Sequence, residues 1–395
     1  MGSPIRITTR TMQAGLELTY ATDSGVSGIL IHEGATFTPV DGQLEPRQNI
    51  MPAWGSRDTL RVTEYGTLTF RCDLAGSGTQ DVSPQWGPLL IGCGWEGTTF
   101  SSSVSGTAQA GSTTTITLAA GASALDHAYV GAIINFTGGT GHGQVGEIVA
   151  YDPITKVCTL AETLTTALDD TTQYQIGKRI AWRAVSDAAI DGSSLALYWG
   201  EGAIRHVFLG ARGSVKLVFE ALKLPYLEFT YTGLLGTISD QSIPVIDSST
   251  WLSPKPFNQA NVGGMYFHGY RSPDIKLARF EFDQGGDVQY RNLPGYEGVD
   301  LVDRMPKTRF TVDTELLADA NYWSPLRNST PGAVAFRVGT VAGNRIMVVI
   351  PRHKILRGTY GDDRKISQIQ AEGEAYTGFA LGGSTTDDDI FLISR

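Results

Sequence analysis

The most constraining feature of this chain is a two-residue alternation of apolar and polar side chains. It runs through LTFRCDL (68–74), SVKLVFEAL (214–222), LEFTYTG (227–233), RFTVDTEL (309–316) and AFRVGTV (335–341). Successive side chains of an extended chain point to opposite faces, so this period puts one apolar face on a strand and would scatter it around a helix. Between these runs lie turn-forming clusters such as GSGT, DGSS and GTYGDD. The 47 glycines and dense Ser and Thr suit many short strands joined by turns, so the chain is expected to be mainly β.

Two segments break the pattern. In PQWGPLLIGCGW (84–95), Trp86, Leu89, Leu90 and Cys93 form one apolar stripe at helical spacing. Pro84 suits the start of that helix and Gly94 its end. In ADANYWSPLRN (318–328), Asp319 is placed to cap, Trp323 and Leu326 face inward, and Pro325 shortens or kinks the helix.

These elements recur in order. A strand centred on Phe70 leads to WGPL (86–89), and one centred on Phe310 leads to WSPL (323–326). Each is followed by a strand carrying YTG, at 231–233 and 376–378. Ordered matches on matching elements predict two copies of one unit. The first copy is longer because of residues 99–178, where SSSVSGTAQAGSTTT opens a series of short alternating runs. The expected organisation is a discontinuous first unit (1–98 and 179–246), an inserted β module (99–178) and a second unit (247–395).

Candidate chemistry is sparse. Gly141, Gly143 and Gly146 spell G-x-G-x-x-G, but alternating runs lie on both sides, so the loop reads as a hairpin connection and not a dinucleotide site. The six histidines share no metal-binding spacing, and no set of nucleophile, base and oxyanion donor assembles. Asp387, Asp388 and Asp389 read as a solvated loop, and Asp362 and Asp363 as part of a turn. Cys72, Cys93 and Cys158 read as buried, reduced thiols. No enzyme activity, metal or cofactor is expected. The formal charge of −9 lacks the basic footprint of a nucleic-acid binder. With no signal-like N-terminus and no run long enough to span a bilayer, membrane insertion is not expected.

Residues 38–60, TPVDGQLEPRQNIMPAWGSRDTL, are polar and weakly patterned between two strand regions. Ile50, Met51 and Trp54 would be costly in water, so the segment, with Arg57, is expected to be ordered by another subunit.

FRCDLAGSGTQDVSPQWGPLLIGCGW (70–95), GARGSVKLVFEALKLPYLEFTYTGLLG (210–236) and residues 309–355 resemble the major tail tube proteins of long, non-contractile-tailed bacteriophages (siphophages). The resemblance covers most of the chain except 99–178, which is similar to small β domains of other phage structural proteins. It implies two tandem β-sandwich tube domains, each with a short flanking helix, plus an inserted β domain on the tube exterior. It further implies a virion protein, assembled in the bacterial cytoplasm, that polymerises as stacked rings around a DNA-ejection channel. Duplication within one chain implies trimeric rings with pseudo-sixfold symmetry, hexameric rings being the alternative. The implied partners are further copies of the chain, tape measure, tail terminator and distal tail proteins, and phage DNA passing without specific binding. Residues 38–60 would reach the neighbouring ring. Asp313 and Glu315 on one strand, and Glu372 and Glu374 on another, are the lumen-facing candidates, in a channel expected to be acidic or neutral. A distal-tail or baseplate ring protein and a carbohydrate-binding surface adhesin are the competing readings.

Overall fold

In the computed structural model, which describes residues 9–52, 54–125, 127–186, 193–272, 274–378 and 387–395, the chain is mainly β with two short helices. Seventeen strands form one hydrogen-bonded network. Eight of them define its frame: β1 (Thr36–Asp41), β2 (Tyr65–Asp73), β3 (Ile204–Glu220), β4 (Tyr226–Asp240), β5 (Leu277–Asp283), β6 (Lys307–Asp313), β7 (Ile346–Asp363) and β8 (Ile366–Ala375).

Antiparallel pairing orders them β1-β2-β4-β3-β5-β6-β8-β7. The first four and the last four have the same internal order, and β3 and β5 join the two sets. Aligning Phe70 on β2 with Phe310 on β6 also aligns Asp73 with Asp313 and, through the pairings, Phe37 with Phe282. The YTG tripeptides do not share this register. Phe70 pairs with Phe229 and Phe310 with Ala371, so Tyr231 corresponds to Gly373, and Tyr376 lies beyond the end of β8.

One face of the eight-stranded sheet is apolar. Phe70, Cys72, Phe229, Tyr231, Leu217, Phe280, Phe282, Phe310 and Val312 are all buried there in one cluster. Two helices cover it. α1 (Gly87–Ile91) carries the buried Leu89 and Leu90, and Tyr231 donates its hydroxyl to the Leu89 carbonyl. α2 (Trp323–Asn328) lays Trp323 and Leu326 over Gly358 and Tyr360 of β7. Both helices are shorter than the sequence predicts. Asp319 lies outside α2; Asn321 Oδ1 instead accepts the amides of Trp323 and Ser324. Pro325 falls in the first turn, where no intrahelical N–H is required, so it does not kink the helix.

The leading half of β7 leaves this frame for outer strands, and that of β3, still paired with β4, exchanges β5 for one. β3 pairs there with Leu195–Glu201, after a register shift between Leu209 and Arg212. β7 pairs there with Gly332–Val338 and Phe391–Ser394. The outer strands interleave the two units, because Arg179–Ala184 pairs with both Trp95–Phe100 and Phe391–Ser394.

Strands 95–100 and 179–184 also form the neck of the insertion. Beyond it, seven strands between Val104 and Ile176 form a separate sheet. The glycine-rich loop is a hairpin there, since Ile133–Gly138 and Val145–Tyr151 pair on either side of it. Gly139, Gly141 and Gly143 adopt φ of 68°, 82° and 85°, which a side chain would resist. The insertion's core includes Ile134, Ile148, Cys158 and Tyr174, and it continues into Ala335, Met347, Val349, Phe391 and Ile393 of the outer strands. All three cysteines are free and buried, and burial pushes the Cys93 thiol up to about 12.

Candidate functional site

The sheet face opposite the core is polar, and its residues fall into rows across the strands. One row reads Arg71, Glu228, Lys216, Asp283, Lys307, Glu374, Lys354, each the register partner of the next. Its charges alternate in sign across seven strands. A second row runs Glu281, Arg309, Glu372, Arg357 through β5, β6, β8 and β7. Ion pairs follow: Arg71–Glu228 at 2.5 Å, Arg309–Glu372 at 3.2 Å and Lys216–Glu281 at 3.9 Å, with Arg279 also on Glu281. Opposite charges on neighbouring strands favour this register, though exposed pairs contribute only about 0–1 kcal/mol each. Towards β1 the face becomes uncharged, with Thr69 and Thr230 hydrogen-bonded at 3.3 Å.

Glu372 and Glu374 are on this face, each opposite a base: Arg309 and Lys307. Asp313 closes β6 and accepts a hydrogen bond from Gln368 at 3.0 Å. Glu315 does not share that strand, which ends at Asp313; it lies in the irregular segment that follows and pairs with Lys276. The face is thus a mosaic in which cations and carboxylates alternate. Its cations are interspersed with carboxylates from strand to strand and not gathered into one basic patch of the kind extensive phosphate contact uses.

Among the described residues both outer edges of the eight-stranded frame are open: β1 pairs only with β2, and the Leu356–Asp363 part of β7 only with β8. Between β1 and β2 an arm projects, built on a short hairpin, Leu44–Pro46 with Thr59–Arg61. Residues 38–60 are therefore patterned at their ends. At the tip Ile50 is 99% exposed, Trp54 is fully exposed and Met51 is partly so. Arg57 donates Nε to the Asn49 carbonyl at 2.8 Å. A second arm, Gly286–Leu293 with Tyr296–Arg304, occupies the equivalent position between β5 and β6. It folds back on its own chain through Tyr290 against Tyr65 and Tyr20 against Val299. Sequence reasoning missed it, although VQYRNL and YEGVDLV alternate around a Pro-Gly turn.

Three buried polar clusters were also missed. Asp388 and Asp389 are not solvated: Arg352, His127 and the Gly378 amide serve Asp388, and Arg304 serves Asp389. Asp362 and Asp363 end β7, and the turn itself is Arg364–Lys365, both at positive φ. Glu147 of the insertion is buried and accepts from Arg337 and Arg395, each at 2.5 Å. Burial and the neighbouring Glu147 push the Glu162 carboxyl up. Finally, Thr308 Oγ1, His353 Nε2 and Nδ1, and His268 Nε2 form a chain with steps of 2.7 and 2.9 Å. Burial holds both imidazoles below their usual range, His268 at about 4.

Among the described residues no group of three or more His, Cys, Asp or Glu side chains is arranged to hold a metal ion. No described helix is long and apolar enough to cross a membrane. No protein-family model matches the chain, and no curated protein matches it.

Proposed function

We propose that the chain is a structural protein that closes side by side into rings and stacks them into a tube, as the tail tube of a siphophage does, with the charge-alternating face lining the channel. The observation that carries this reading is the repeated strand order with its internal joint. β3 and β5 pair within the chain, so their counterparts, β7 of one copy and β1 of the next, have an equivalent joint available. Aligning the two units puts Thr359 opposite Thr38, as Lys216 is opposite Asp283. Edge strands left unpaired would otherwise invite uncontrolled association.

The register also supports a defined geometry. The row through Arg71 reaches β6 at Lys307, four residues short of Thr311, which is the counterpart of Arg71. A shear of about four residues per four strands equals the ratio in eight-stranded barrels tilted by roughly 36°. Three copies would supply about 24 strands; at ~4.8 Å spacing and that tilt, opposite walls lie roughly 45 Å apart between backbones. That leaves a channel ample for duplex DNA after side chains are added.

The test is a Thr38→Cys/Thr359→Cys protein oxidised under assembly conditions. The expected product is a covalently closed ring of three chains on a non-reducing gel, with tubes in negative stain. Chains that stay monomeric and uncrosslinked at high concentration would count decisively against the reading.

A further inference from the structure

The two ends of the sheet differ in a way that names a partner for the arm. β1 runs into the arm at Asp41, which pairs with Tyr65 at the start of β2. β2 then runs to Asp73, which pairs with Tyr226 just past the β3–β4 turn. The arm and that turn are therefore at opposite ends of the strands, separated by roughly 27 Å for nine residues. At the far end, the β3–β4 turn, residues 257–265 and 275–278 and the β7–β8 hairpin line a groove of about 530 Å³. Leu222, Phe257, Met265, Ile275, Leu277 and Ile366 give it an apolar lining, and Asp313 and Asp363 stand on its wall. Leu222 is 84% exposed and Ile366 57%.

We infer that this groove receives the arm tip of a second copy of the chain, with Trp54 and Ile50 entering the apolar floor and Arg57 meeting Asp313 and Asp363. Three observations favour that occupant. The tip carries apolar side chains that its own chain leaves wholly in water. The groove is apolar with Asp313 and Asp363 on its wall and its one lysine, Lys276, paired with Glu315, whereas the arm brings Arg57 and Arg61 besides Arg47, which pairs with Asp58. Because arm and groove lie at opposite ends of the strands, stacking one copy on the next, with a rotation that takes up the sideways offset from β1–β2 to β5–β6, brings the two together, and the contact repeats without limit. The second arm, held on its own chain by Tyr20 and Tyr65, is not available for the same task. The inference rests on the ring-and-tube reading and adds the axial contact to the lateral one.

A photo-crosslinking amino acid at position 54 tests it, in a mixture of isotope-labelled and unlabelled full-length chains, with the Thr38–Thr359 disulfide scored in parallel. Crosslinks between labelled and unlabelled chains are expected at residues 222, 257–278 or 363–366. Leu222→Asp/Ile366→Asp, at two exposed positions, should reduce their yield more than tenfold. Between-chain crosslinks mapping elsewhere, or no crosslink while the disulfide forms, overturn the groove assignment and leave lateral ring closure standing. Crosslinks in the groove without the disulfide sustain the axial contact and remove the ring. If both are absent, both fall.

Discussion

Lowering the pH should weaken the fold through the His268–His353 pair. Both rings are neutral in the native state, because burial among Phe267 and Phe310 disfavours their charge. The unfolded chain protonates near 6.5 and folded His268 only near 4, so the unfolded state binds more protons between those values. The stabilisation is complete above about 6.5 and is lost as pH falls towards 4. At pH 5 the difference amounts to about 2 kcal/mol for His268 alone, from about 1.5 protonation units at 1.36 kcal/mol each. Glu162 works in the opposite direction, since its raised carboxyl favours the folded state as pH falls. Wild type must therefore be compared with a variant and not read alone. His268→Asn is suited to this, because Asn tolerates the φ of 48° at that position and carries no titratable group. Urea titrations at pH 7.5 and pH 5 should show wild type losing about 2 kcal/mol more than His268→Asn. Parallel losses in the two proteins would refute the argument.

Three further outcomes follow from the packing. Glu147→Gln leaves Arg395 and Arg337 without their shared carboxylate and should cost about 3–5 kcal/mol in urea melts; a loss under about 1 kcal/mol would contradict a buried ionic tie. Lys216→Glu sets a carboxylate among Glu228, Asp283 and Glu281 and should cost about 1 kcal/mol, mostly recovered in high salt; a salt-independent loss would place the cause elsewhere. Replacing residues 101–178 by a short linker should not yield a clean protein, because Ala335, Met347, Val349, Phe391 and Ile393 lose their cover. Strong dye binding and aggregation are expected, and a soluble, cooperatively melting product would show that the outer strands close without the insertion.

The frame of the fold is legible in the sequence because alternation is a local signal, and β2, β3, β4, β6 and the strand at 332–338 all carry it. The Trp86 and Trp323 helices are legible for the same reason. The acidic-lumen candidates were only half informative: Glu372 and Glu374 could be put on one face, but not seen to face Arg309 and Lys307, some 60 positions away. The charged row draws Arg71 and Lys354 from opposite ends of the frame, and no spacing rule connects them. Asp388 and Asp389 mislead because consecutive acids look solvated until Arg304 and Arg352 are folded over them. The tripeptide YTG shows the opposite failure, a local match without equivalence in the sheet.

Strand 391–394 lies between Arg179–Ala184 and the start of β7. A ribosome therefore releases the neck of the insertion some two hundred residues before its neighbour in the outer layer exists. Contacts of such separation are slow to form, and until they do that edge of β7 stays unpaired. Docking of that strand would act as a timer, leaving this part of the outer layer open until synthesis has passed residue 394.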